Sequence, residues 1–157
     1  MKVGIIVYSH SGHTLAAAQH LKERLSAAGH QPALERLELA GPAPAGREEM
    51  PLKNCPDIST YNAVVFCSPV HGGRPALPLT HYLAQLPPQK SKPAVLLVTH
   101  FFRPDWGAEL TIAALRAACE TRGARVIGAA SVRWPGLGRS RRLESAARGD
   151  FVVALYN

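Results

Sequence analysis

Val3-Gly4-Ile5-Ile6-Val7-Tyr8-Ser9-His10-Ser11-Gly12-His13-Thr14 decides how this chain is read. The apolar half, residues 3–8, has the composition of a strand buried on both faces: short, β-branched and without polar alternation. The residues that follow, 14–28, repeat Leu15, Ala18, Leu21 and Leu25 at helical spacing, and Gly29 stands where a helix would be closed. Between them lies a tight, hydroxyl-rich turn. Strand, turn and helix in that order aim backbone N–H groups and the positive end of a helix dipole at one small pocket, which suits a phosphate. Ser9, Ser11 and Thr14 around Gly12, with no lysine, indicate a terminal monophosphate held by hydrogen bonds. The Gly-x-x-x-x-Gly-Lys-Ser/Thr loop of a nucleoside triphosphate is absent, and a lone Gly12 is not the glycine triplet of a dinucleotide site.

Outward from this stretch the pattern alternates. Residues 63–68 (Ala-Val-Val-Phe-Cys-Ser) and 94–99 (Ala-Val-Leu-Leu-Val-Thr) read as buried strands, 125–132 as the last strand, and 33–39 as a looser one. Helices are expected over 76–86, with Pro78 in the first turn, over the alanine-rich 107–122 closed by Gly123, and over about 140–154. Five strands interleaved with helices predict a doubly wound five-stranded parallel sheet with helices on both faces and right-handed crossovers. The 157 residues suit a single domain spanning 1–157. Residues 38–61, with Pro42, Pro44, Pro51 and Pro56, have neither period and read as a long irregular connection.

Composition narrows the class. No apolar run reaches the ~18 residues of a membrane span, and Met1-Lys2-Val3 enters a strand at once, so no membrane partner and a cytoplasmic location are expected. Cys55, Cys67 and Cys119 are isolated, which predicts neither a disulfide frame nor a metal site. The net charge is +7. Apart from Arg139-Ser140-Arg141-Arg142 the arginines are scattered and no nucleic-acid motif accompanies them, so no nucleic-acid partner is expected. The excess reads first as a solvated basic face, the alternative being attraction of anionic partners such as the phosphates of a nicotinamide cofactor or an acidic protein.

In such a sheet the loops after the first, third and fourth strands open at the same carboxyl edge, where ligands bind. The second of these, Ser68-Pro69-Val70-His71-Gly72-Gly73-Arg74-Pro75, lets backbone approach a flat ligand. The third, Thr99-His100-Phe101-Phe102-Arg103-Pro104-Asp105-Trp106-Gly107, carries three aromatics and a histidine. Each also has a plainer reading: a hydroxyl cap, a tight turn, and a hydrophobic lid or subunit contact. Together they make a site for a phosphate-tailed planar heterocycle.

These motifs resemble the flavodoxin-like superfamily, in particular the short flavodoxin-family and WrbA-type NAD(P)H oxidoreductases. Ser9 to Thr14 is similar to the family's Ser/Thr-x-Thr-Gly-x-Thr FMN-phosphate loop. Residues 67–73 resemble the Gly-Ser-Pro-x-Tyr-x-Gly segment along the isoalloxazine ring. Trp106-Gly107-x-Glu109-x-Thr111 resembles the Gly-Gly-x-Glu-x-Thr start of the fourth helix. His13 and His71 depart from the asparagine or glutamine and the aromatic residue usual there. The resemblance implies FMN as cofactor, bound by Ser9, His10, Ser11, Gly12, His13 and Thr14 at the phosphate. Ser68, Pro69, Val70, His71, Gly72 and Gly73 would lie along the ring, and Thr99, His100, Phe101, Phe102, Trp106 and Gly107 would close it. It also implies an FMN-dependent oxidoreductase passing electrons from NAD(P)H to a quinone or other small acceptor, with flavin N5 taking the hydride and His71 and His100 tuning it, in a homo-oligomer. An FMN-bearing carrier to a redox protein, and a flavin-free binding module, are the alternatives.

Overall fold

The computed structural model describes residues 1–41, 51–101 and 107–133. The elements run β1 (Lys2–Val7), α1 (His13–Ala27), β2 (Gln31–Arg36), β3 (Ala63–His71), β4 (Arg74–Pro75), α2 (Leu77–Gln85), β5 (Pro93–His100), α3 (Ala108–Thr121) and β6 (Arg125–Arg133). The sheet order is β2-β1-β3-β5-β6, all parallel, with β4 folding back antiparallel on β3. The five parallel strands expected from the sequence are therefore present. The two-residue β4 is an addition, because a strand that short carries no periodicity.

Alternate residues of the buried strands serve opposite faces. Val3, Ile5, Val7, Val65, Val95 and Leu97 pack with Ala17, Ala18, Leu21 and Leu25 of α1. Ile6, Val64, Phe66, Leu96 and Val98 pack with Leu79, Tyr82 and Leu83 of α2 and Leu115 and Cys119 of α3. The continuous apolar runs of β1, β3 and β5 follow from this two-sided burial. Gly4 belongs to the second face, where a β-carbon would collide with the Tyr61 ring. Tyr61 is in turn fixed by donating its hydroxyl to Glu35 Oε1 at 2.5 Å.

Helices α1 and α3 end alike. His30 N–H bonds Leu25 O and Gly29 N–H bonds Ser26 O; Ala124 N–H bonds Cys119 O and Gly123 N–H bonds Glu120 O. These are paired Schellman bonds with glycine at the left-handed position, as Gly29 and Gly123 suggest.

Strand β2 occupies 31–36, not the expected 33–39. It is an edge strand paired only with β1, where Pro32 needs no donor on the open side. Beyond Arg36 the chain stays extended through other bonds. Asn54 mimics a strand neighbour by giving Nδ2–H to Arg36 O and accepting Glu38 N–H on Oδ1, and Leu39 bridges Leu52. The irregular connection is as expected over its described part; its residues 42–50, like the helix expected over 140–154, lie outside the described residues.

Candidate functional site

The first loop is built by short-range bonds. Tyr8 N–H donates to Cys67 O at 3.1 Å, holding the exit of β1 against β3. Ser9 is buried, and its Oγ accepts the Gly12 N–H at 3.0 Å. Gly12 is left-handed at φ 90°, and α1 opens without a capping side chain or an acidic residue in its first turn. An uncapped helix N-terminus presents N–H donors and a positive dipole end outward. Ser11 Oγ bonds His13 Nδ1 at 3.0 Å, and the His13 ring lies edge-on to Phe101, centroids 5.1 Å apart. Arg36 donates Nη2–H to the Ser9 carbonyl at 3.3 Å. That cation was not among the residues singled out in the sequence. It could have been found by placing the end of β2 beside the end of β1, as the strand order demands.

The two threonines expected at the ligand, Thr14 and Thr99, are bonded to each other. Thr14 Oγ1 and Thr99 Oγ1 are 2.7 Å apart in a buried pair. The bond ties the start of α1 to the end of β5, and so fixes the first loop relative to the third.

The second loop is a hairpin. Register pairs His71 with Arg74 and Val70 with Pro75. Between them Gly72 (φ 58°) and Gly73 (φ 75°) both have positive φ, the combination a two-residue type I′ turn requires. Ser68 is fully buried and acts beneath the hairpin: Oγ accepts Ala76 N–H at 2.9 Å and donates to Pro69 O at 2.8 Å. Its hydroxyl thus joins β3 to the start of α2. At the tip, the His71 ring stands perpendicular to the His10 ring, centroids 6.3 Å apart. Partial burial and the neighbouring His10 hold the His71 imidazole below its ordinary titration range.

In the third loop, His100 is buried and Phe101 is 55% exposed, an unusual setting for a large aromatic. Phe102 and Trp106 lie outside the described residues. Gly107, left-handed at φ 119°, precedes α3. A β-carbon there would fall 2.6 Å from Gly73 Cα, so the second and third loops touch backbone to backbone. Thr111, one turn into α3, is wholly buried, and its hydroxyl has no hydrogen-bond partner among the described residues. The described part of all three loops therefore converges at one edge. Gly12, Gly72 and Phe101 border the open side, while Thr14, Ser68 and Thr99 lie beneath.

A separate cleft of about 660 Å³ opens at the opposite, amino edge, between Pro56, Ile58, Tyr82, Leu86 and Lys92. The described coil before β3, residues 55–59, forms part of its wall. The chemistry-bearing loops are not near it. Among the described residues no three metal-ligating side chains cluster, and no helix is long and apolar enough to cross a membrane. Cys67 and Cys119 are buried and Cys55 exposed. Desolvation pushes the Cys119 thiol up to about 12 and Cys67 higher still, so both are inert small hydrophobes.

No family model matches the chain, and no curated protein matches it in sequence. Solved structures do. A flavodoxin, WrbA-like protein from Agrobacterium tumefaciens superposes with a TM-score of 0.70 at 15% identity, over 99% of this chain and 96% of the other. Oxidised flavodoxin 2 from Bacillus cereus gives 0.69 at 18%, over 99% and 98%. Two-electron reduced Megasphaera elsdenii flavodoxin gives 0.58 at 23%, over 94% and 99%. With the 2-1-3 start of the sheet, the glycine turn that opens α1 and the glycine hairpin after the third strand, these likenesses establish that the chain has the flavodoxin-like fold.

Proposed function

We propose that this chain binds FMN at the carboxyl edge of its sheet and acts as an oxidoreductase, carrying electrons from NAD(P)H to a quinone or another small acceptor. The observation that carries the reading is the start of α1. It is an uncapped helix N-terminus with no carboxylate in its first turn, and Arg36 is bonded to the turn before it. A phosphate dianion fits such a place on both dipole and hydrogen-bonding grounds. A β-carbon on Gly12 or on Gly72 would meet nothing within 4 Å, so backbone there is open to a ligand.

The flavin supplies hydride and electron transfer; the chain supplies binding, orientation and electrostatics. Backbone N–H groups at the α1 start and the Ser11 hydroxyl would hold the phosphate. The Val70–Gly73 backbone and the His71 ring would lie along one side of the heterocycle, and Phe101 along another. The Thr14–Thr99 bond and the Gly73–Gly107 contact keep these walls at fixed separation before the ligand arrives, which lowers the ordering cost of binding. The surplus of cationic side chains draws anionic substrates such as a nicotinamide cofactor.

Purified protein mixed with FMN provides the test. Quenching of flavin fluorescence with a stoichiometric end point, followed by oxidation of NADH or NADPH in the presence of a quinone, supports the reading. Failure to bind FMN overturns it. Binding without direct NAD(P)H oxidation assigns the chain instead as a carrier between redox proteins.

A further inference from the structure

The carboxyl edge of the sheet gathers imidazole and guanidinium groups where a bound flavin, once reduced, would carry a negative charge. His10 leaves the first loop and His71 leaves the hairpin, and their rings meet at right angles with centroids 6.3 Å apart. Arg74 is the register partner of His71 in the hairpin, and the same carboxyl edge carries His13 at the start of α1, Arg36 at the end of β2, and His100 and Arg133, which are register partners on β5 and β6. The carboxylates at this edge are few among the described residues. Glu35 accepts the Tyr61 hydroxyl, Glu38 lies 3.6 Å from Lys53, and Glu109 sits in the first turn of α3. Burial and His10 together make His71 reluctant to take a proton in the absence of a nearby anion. A negative charge placed beside it reverses that reluctance.

We propose that the His10–His71 pair couples reduction of the bound flavin to uptake of one further proton, so that its midpoint potential rises steeply with acidity over a pH range in which it would rise only shallowly without the pair. This rests on the reading of the edge as an FMN site. The balance is simple. A hydride donor of the nicotinamide class gives two electrons and one proton to the ring system, leaving it with one added negative charge. A second proton then comes from solvent to an imidazole of the pair, which becomes imidazolium and offsets that charge. Both residues are thus positioning residues for charge, separate from the atom that takes the hydride. Imidazole suits the task because its charge changes near neutrality.

The test is a potentiometric titration of the FMN-loaded protein against a reference dye across about pH 5.5 to 8.5. Uptake of one proton per two electrons lowers the potential by about 30 mV per pH unit, and two protons per two electrons by about 59 mV. The wild-type protein is expected to show the shallow slope at high pH and the steep one lower down. His71→Asn is expected to move the steep segment to lower pH, where the reduced ring itself takes the second proton, and His10→Asn gives an independent removal of the pair should the first variant lose flavin. His71→Lys, whose charge is fixed over this range, is expected to hold a raised potential and to displace the steep segment to lower pH as well. A wild-type slope that never steepens, or a steep segment that both asparagine variants leave at the same pH, overturns the proposal while leaving FMN binding intact. A wild-type protein that takes up no FMN overturns both.

Discussion

Gly73 Cα occupies the space a β-carbon on Gly107 would need, 2.6 Å from its ideal position, and Val70 Cγ1 lies 3.3 Å from the same point. Gly107 also has φ 119°. Two loops 34 residues apart in sequence are thus joined through glycine backbone, and no side chain can be inserted without separating them. Gly107→Ala is expected to combine a left-handed penalty of about 1–2 kcal/mol with the clash. For a chain of this size the backbone penalty alone lowers the melting temperature by about 2–8 °C. Because the hairpin is displaced, FMN affinity should fall more than stability does. Thermal denaturation with and without FMN reads both; an unchanged Tm refutes the packing argument.

The Thr14–Thr99 bond calls for a double-mutant cycle. Both hydroxyls are buried, 2.7 Å apart. Thr14→Val leaves Thr99 without that partner and is expected to cost about 1–3 kcal/mol. Adding Thr99→Val removes the orphan, and the double variant should recover much of the loss. Urea unfolding of the four proteins gives the coupling energy directly. Additive losses would show that the hydroxyls serve something other than each other.

How much of this was readable beforehand follows a physical divide. The order strand-turn-helix at residues 3–28 was legible because burial on both faces and helical periodicity leave strong local marks. The Schellman endings at Gly29 and Gly123 were legible for the same reason: one residue type carries the requirement. Contacts between distant segments leave no such mark. Thr14 and Thr99 look like ligand hydroxyls in sequence, and only the sheet order reveals that they face each other. Ser68 is similar: its place at the end of a strand suggests a ligand contact, yet its hydroxyl is used to hold the N–H of Ala76. Arg36 went unnoticed because its role depends on β2 lying beside β1.

A strained turn at the other edge offers a stabilising substitution. Lys90 (φ 49°) and Ser91 (φ 62°) are both left-handed, and Lys92 N–H closes the turn on Gln89 O at 3.0 Å. This is the type I′ shape that Asn-Gly adopts without strain. The turn is held because Gln89 N–H and Ser91 N–H are bonded to Arg122 O and Gly123 O, both at 2.7 Å. Lys90→Asn with Ser91→Gly is expected to raise stability by about 1 kcal/mol, measured as a higher urea midpoint at constant slope, with FMN affinity unaltered. A lower midpoint would show that the Lys90 or Ser91 side chain makes a contact worth more than the strain.

Flavin-free protein should lose stability in mild acid. His71 and His30 both titrate below the ordinary 6.5 when folded, each chiefly through desolvation, reinforced by His10 and by the N-terminal ammonium respectively. A depressed histidine binds protons more readily unfolded than folded, so stability is independent of these groups above about pH 6.5. It declines as pH falls from there through the folded-state values. Asp57, held below its usual range by the Ser59 N–H and hydroxyl, adds a further decline only in stronger acid, below about pH 4. Urea midpoints taken at successive pH values should therefore be flat near neutrality and fall below pH 6.5. The combined His30→Asn, His71→Asn variant should flatten the first decline and leave the second. A wild-type midpoint that rises between pH 6.5 and 5 would reverse the sign of the argument and place both imidazoles in contacts that favour their charged form.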